Sequence, residues 1–182
     1  RNTQKIIMIP RSFKISTTVV FFVQDAVSYH VHHAARELRA RGLGCRYLQV
    51  MARPSRHGDW VLHGGSRECV LPAPTSDTRV LLREAQALCS QLYEPGVPYK
   101  KAGVVLGWLS DGTLDQPDLF ASGSGAPAAD PLMQTIDSIN RRFGRDIVSI
   151  GRTDGAVAWA PARDHLSPRY TTNWDDLASV TA

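Results

Sequence analysis

Two histidines three positions apart, His30 and His33 in the run 30-HVHH-33, share one helix face and could begin a metal site. A metal needs more ligands than these two. No HExxH pattern and no suitably spaced carboxylate accompanies them, so a polar helix face is the expectation. Serine, histidine and aspartate recur along the chain without a nucleophile elbow or an oriented base. The glycine patterns GxGxxG and GxxxxGK[ST] are absent, and 122-SGSG-125 lacks a following helix with a basic phosphate anchor. Carboxylates able to hold two Mg²⁺ would have to pair at strand ends, and the seven acids of residues 1–110 do not. Asp175 and Asp176 read as a helix-start or surface pair, and His63 is a lone candidate base. No catalytic residue, cofactor site or metal site is assigned to this chain.

The spacing of the cations is more informative. Arg11 and Lys14, with the neutral Ser12 between them, follow the first strand, Arg46 and Arg53 bracket the second, and Lys100 and Lys101 open the last. Strand side chains alternate, so several of these can share one face or its edge. Cations spread this way contact phosphates and fix register without reading bases. A second feature is 115-DQPDLF-120, followed at once by 121-ASGSGAPAAD-130. Apolar side chains usually hide, so Leu119 and Phe120 beside a tether either pack back onto a domain or await a partner.

The elements that must position these residues follow from periodicity. Residues 5–9 (KIIMI) read as a strand that Pro10 confines to an edge or a bulge. Val23, Val27, Val31, Ala34, Ala35 and Leu38 keep helical spacing up to a capping Gly42. Residues 45–52 and 68–73 read as strands separated by loop and a Gly64-Gly65 turn. Thr75, Ser76 and Asp77 offer caps for a helix whose face is Leu81, Ala85, Leu88 and Leu92. Residues 99–109 close the unit as a strand. The order β-α-β-β-α-β predicts an α+β, ferredoxin-like domain: a four-stranded antiparallel sheet with both helices on one face. The other face is left to meet a ligand, although fold alone assigns no function. Residues 111–131 read as a flexible linker. In the tail, 132–182, a third helix over 132–144 precedes a small hairpin of 147–150 with 156–160, a small α/β unit.

Size and charge agree. The chain has 182 residues, 43% hydrophobic and 21% charged, enough for one domain and an appendage. No apolar run approaches the roughly 18 residues of a membrane span, and no signal peptide is visible. Three widely spaced cysteines, Cys45, Cys69 and Cys89, are expected as thiols of a reducing cytoplasm. The first residue is Arg, which suits a piece of a longer protein. Residues 1–110 carry a net charge of +8 and residues 111–182 a net of −4. A basic first part suits a polyanion, most simply nucleic acid, or else a solvated basic surface.

Several runs together resemble one family. They are 11-RSF-13, 101-KAGVVL-106, QPDLF at 116–120, 132-LMQTIDSINRRFGR-145 and 166-LSPRYTTNWDDL-177. They are similar to the C-terminal part of the UmuC-type Y-family translesion DNA polymerases. Two departures are Lys14, where the family usually has Gly, and the apolar 15-ISTTVVFFV-23. The resemblance implies that residues 1–110 are a little-finger domain gripping template-primer DNA. It also implies that Gln116, Pro117, Asp118, Leu119 and Phe120 are a sliding-clamp-binding peptide. Leu119 and Phe120 would fill an apolar clamp pocket, Gln116 would hydrogen-bond at its rim, and Pro117 would lower the ordering cost. The palm carboxylates and their Mg²⁺ would lie outside this chain, leaving it non-catalytic alone. The implied partners are damaged or primer-template DNA, the bacterial sliding clamp, the processed UmuD dimer and RecA, in a nucleoid-associated cytoplasmic SOS repair role. Two rival readings are a free-standing RNA-binding module, with Tyr47 and Tyr99 as its stacking aromatics, and a small enzyme using His63 as base.

Overall fold

The computed structural model describes residues 6–55, 60, 63–111, 131–144 and 147–151. Its elements run β1 (Ile6–Thr17), α1 (Val20–Ala40), β2 (Leu43–Pro54), β3 (Gly65–Thr75), α2 (Thr78–Leu92), β4 (Tyr99–Asp111) and α3 (Pro131–Phe143). The four strands form one antiparallel sheet in the order β1-β4-β2-β3. The first six elements are the α+β, β-α-β-β-α-β unit that the sequence predicts. Each βαβ unit is split by a strand: β4 lies between β1 and β2, and β2 lies between β3 and β4.

Residue type explains the positions in the sheet. Proline cannot donate to a ladder, and Pro10 falls in β1 while Pro72 and Pro74 fall in β3, the two edges. Strand β4 carries none, and each residue of its run Ala102–Gly107 is buried between the neighbouring strands, as its central place implies. Gly103 lets β1 approach. A Cβ there would lie 2.8 Å from the Pro10 Cα and 2.9 Å from the Ile9 carbonyl oxygen.

The core lies between the sheet and the two helices. Val27, Val31, Ala34 and Leu38 of α1 and Leu81, Ala85 and Leu88 of α2 meet Leu48, Val50, Val104 and Leu106 of the inner strands. Truncating one such leucine to alanine costs about 2–5 kcal/mol. Helix α2 starts as its sequence predicts: the Asp77 carboxylate accepts from the Arg79 backbone N–H at 2.8 Å. Gly42, at φ +66°, follows α1 in the left-handed conformation that favours glycine.

Some expectations need correction. Strand β1 does not end near Ile9 but runs to Thr17, where Phe13 enters the core and Thr17 pairs with Tyr99 after an irregularity. Helix α1 starts at Val20, three residues before its first core side chain, Val23. His30 is not part of a polar face: it is buried among the valines and alanines of α1, its ring edge-on to Tyr29. Residues 147–150 are not a strand. The Asn140 side chain donates to the Val148 carbonyl at 2.8 Å and accepts from its N–H at 2.9 Å, so these backbone groups are satisfied without a ladder. Residues 156–160 lie outside the described residues.

Helix α3 is held to the domain by polar contacts. The Arg39 guanidinium grips Asp137 through both oxygens at 2.6 and 2.8 Å, and also reaches the Ser76 carbonyl and the Thr78 hydroxyl at 2.8 Å. Met133 is buried, while Leu132 and Phe143 of the same helix are exposed. The Ile150 carbonyl lies 2.9 Å from Nε2 of His32 on α1.

Candidate nucleic-acid interface

Helices α1 and α2 cover one face of the sheet, and among the described residues no element covers the other. Strand pairing lays that open face out in rows. Lys101 of β4 stands opposite Ser12 of β1 and Arg53 of β2, so one row at one end reads Ser12–Lys101–Arg53. Strands lie about 4.8 Å apart, so these three Cα atoms span roughly 10 Å. Lys101 and Arg53 are both exposed. The next rows are neutral: Pro10–Gly103–Met51–Ser66, and then Met8–Val105–Gln49 ending at Glu68. The last row is Ile6–Gly107–Tyr47–Val70.

The structure therefore brings together three of the expected DNA-binding residues and separates the others. Lys100 is a bulge residue: β2 pairs with Lys101 through Arg53 and with Tyr99 through Pro54, leaving Lys100 between them and half-buried. Arg46 donates to the Leu71 carbonyl at 3.2 Å, and seven residues of strand place it about 23 Å from Arg53. The backbone of Arg11 pairs with Ala102, and Lys14 falls in the irregular stretch of β1. The side chains of Arg11 and Lys14 lie outside the described residues, as do Gln116, Pro117, Asp118, Leu119 and Phe120.

The bulge at Lys100 corrects a reading of Tyr99. Alternation from Lys101 would put Tyr99 on the open face. The extra residue turns it into the core, where it is fully buried and its hydroxyl bonds the Glu94 N–H at 2.9 Å. It cannot stack on a base. Tyr47 does face outward, and its hydroxyl donates to Glu68. That hydrogen bond, with some burial and the negative charge, pushes its pKa up to about 12.

Trp108 is the residue that sequence reasoning missed. Alternation from Leu106 would point it at the helices. Its backbone instead takes φ +50°, and the indole turns outward, 61% exposed, with its centroid 5.9 Å from the Tyr47 ring at 38°. Gly107 makes room beneath: a Cβ there would lie 3.1 Å from Tyr47 Cδ1. Apart from a tryptophan near the end of a predicted strand, the sequence carried no signal for this.

The remaining candidates are placed away from this face. His63 is exposed, its Nδ1 3.0 Å from a Glu94 carboxylate oxygen and its ring 5.2 Å from that of Trp60. His33 contacts Arg36 at 2.8 Å and packs on Tyr29. Among the described residues no group of three metal-ligating side chains converges, and no helix is long and apolar enough to cross a membrane. The cysteines form no disulfide, and burial pushes the Cys45 thiol up to about 12 and the Cys89 thiol to about 11.

A family model for the impB/mucB/samB family C-terminal domain matches residues 4–119. The chain belongs to this family. A second model, a domain of unknown function (DUF4113), matches residues 130–180, a stretch that includes α3. Protein UmuC of Salmonella typhimurium is 29% identical over 175 residues, covering 96% of this chain and 42% of the relative. Protein MucB of Escherichia coli is 33% identical over 178 residues, covering 96% of this chain and 41% of the relative. This impB/mucB/samB family chain thus spans about two fifths of the length of those curated relatives. Residues 4–119 are the C-terminal domain of that family, shared with UmuC and MucB. Among solved structures, a complex of the β-clamp processivity factor and the little finger domain of polymerase IV gives a TM-score of 0.45 at 13% identity. That match covers 63% of this chain and 98% of the other, a likeness too distant to carry function.

Proposed function

We propose that this chain is the DNA-gripping and clamp-tethering region of an error-prone translesion polymerase that acts in SOS repair. The observation that carries this reading is the Ser12–Lys101–Arg53 row on a sheet face that no described element covers. Two exposed cations and a hydroxyl across three strands suit a phosphate backbone, and they fix position without selecting sequence. Membership of the family supports the same reading. The peptide Gln116–Phe120 is the clamp anchor. Damaged or primer-template DNA, the sliding clamp, the processed UmuD dimer and RecA are the partners, in the cytoplasm at the nucleoid. Polymerisation and its Mg²⁺ belong to the longer protein, and this chain works without a cofactor of its own.

The test is duplex binding by fluorescence anisotropy from 50 to 300 mM salt, comparing the whole chain with Lys101→Ala/Arg53→Ala. Each lost phosphate contact removes about 0.9 from the slope of log K against log[salt], so the double variant should be shallower by about 1.8. An unchanged slope sinks the reading of this row.

A further inference from the structure

Trp108 and Tyr47 stand at the end of the open sheet face away from Lys101 and Arg53, and the function just proposed does not use the aromatic end. We propose that this pair is a stacking site for an unpaired nucleobase of the single-stranded template next to the gripped duplex. The inference rests on the DNA-gripping reading and adds a ligand to it.

Three observations carry it. A bulky residue at positive φ is uncommon, since the left-handed region crowds its Cβ, and here the conformation turns a large ring out of the core into solvent. A second ring supports it. Tyr47 beside it is fixed through its hydroxyl to Glu68 and lies over Gly107, where any side chain would crowd it. The two rings, tilted by 38°, make an aromatic ledge bordered by the exposed Ile6 and Val70.

The ledge and the cations share one face, and this selects the occupant. Six residues of β4 separate Lys101 from Gly107, about 20 Å of strand. At 3.4 Å per nucleotide of one strand, that span corresponds to about six stacked nucleotides. Cations that hold the backbone and an aromatic platform that stacks a base are the two parts by which single strands are held without sequence preference, and here neutral rows lie between them. Bases inside a duplex keep their faces covered, so an indole on this surface can stack only on an unpaired base or a duplex end. Glu68 lies on the β3 side of the face, where Gln49 at 3.2 Å and Tyr47 both donate to it. Its charge repels phosphates there, which puts the backbone path over β1 and β4.

The experiment measures anisotropy of the whole chain with two probes: a blunt duplex, and the same duplex with a ten-nucleotide single-stranded overhang. Trp108→Ala should weaken overhang binding about tenfold, in line with one lost aromatic stack, and leave the blunt duplex within twofold. Trp108→Phe should restore most of the loss, with thermal unfolding checking that both variants fold. An equal loss on both probes, no loss on either, or tighter binding because the ring normally covers its own chain would each overturn the inference. If the blunt duplex depends on Lys101 and Arg53 while Trp108→Ala is silent on the overhang, only the stacking site fails. If the unmodified chain binds neither probe, the DNA-gripping reading fails with it.

Discussion

Gly103 marks the tightest point of the sheet. A methyl group there would meet backbone atoms of Pro10 and Ile9 within 3 Å, and backbone in a paired strand cannot swing aside. Gly103→Ala should destabilise by about 2–3 kcal/mol through overpacking, read as a lower urea midpoint with the same slope. Asp77 offers a second test. Burial opposes its charge, but hydrogen bonds from the Arg79 side chain and backbone hold its carboxyl below the usual range. A lowered folded pKa gives stability that is present above the unfolded value, near pH 4, and lost as pH falls through the folded one. Asp77→Ala should therefore cost about 1 kcal/mol at neutral pH, and its deficit should shrink below about pH 4 in denaturation curves. At this scale the site was half legible. Lys101 and Arg53 were readable as strand cations. Tyr99 was misplaced because one bulge residue reversed the alternation.

Helix α3 is docked by the Arg39–Asp137 clasp beside its buried Met133. Arg39 and Asp137 are only 10% and 15% exposed, and their fork-to-fork pairing leaves little room for water. Removing one partner strands the other charge, and the remaining exposure keeps the loss to about 2–3 kcal/mol. Asp137→Ala should abolish hydrogen-exchange protection in Pro131–Phe143 while leaving the amides of β2 and β4 as slow as before. Sequence periodicity identified this helix correctly. It could not identify the docked face, because Met133, Asp137 and Asn140 go inward while Leu132 and Phe143 stay exposed. That arrangement departs from the usual apolar-inward rule, since two of those three inward residues are polar.

At the scale of the whole molecule, the proposed function would act through effective concentration. A clamp anchor tied to a DNA grip would make the second contact intramolecular and raise residence without new surface. Leu119→Ala/Phe120→Ala should lose clamp binding in fluorescence polarisation while keeping duplex affinity within twofold. Lys101→Ala/Arg53→Ala should do the reverse. With clamp and DNA both present, either double variant should shorten residence on DNA at least tenfold. Equal behaviour of all three chains would refute the tethering reading.

By itself the sequence determined the element order, the two core faces of the helices and the cations near the strands. Those properties are local and periodic, and hydrophobic burial enforces them. It did not fix the sheet order: Pro10 pointed to an edge or a bulge for β1, but Pro54 ends the central strand β2, so proline alone does not sort the strands, and the order β1-β4-β2-β3 comes from long-range pairing. Only the tertiary structure decided where alternation breaks. The bulge at Lys100 sends Tyr99 inward, and the positive φ of Trp108 sends its indole outward. Both arise from how neighbouring strands close on one another, through contacts between residues far apart in the chain that no local pattern encodes.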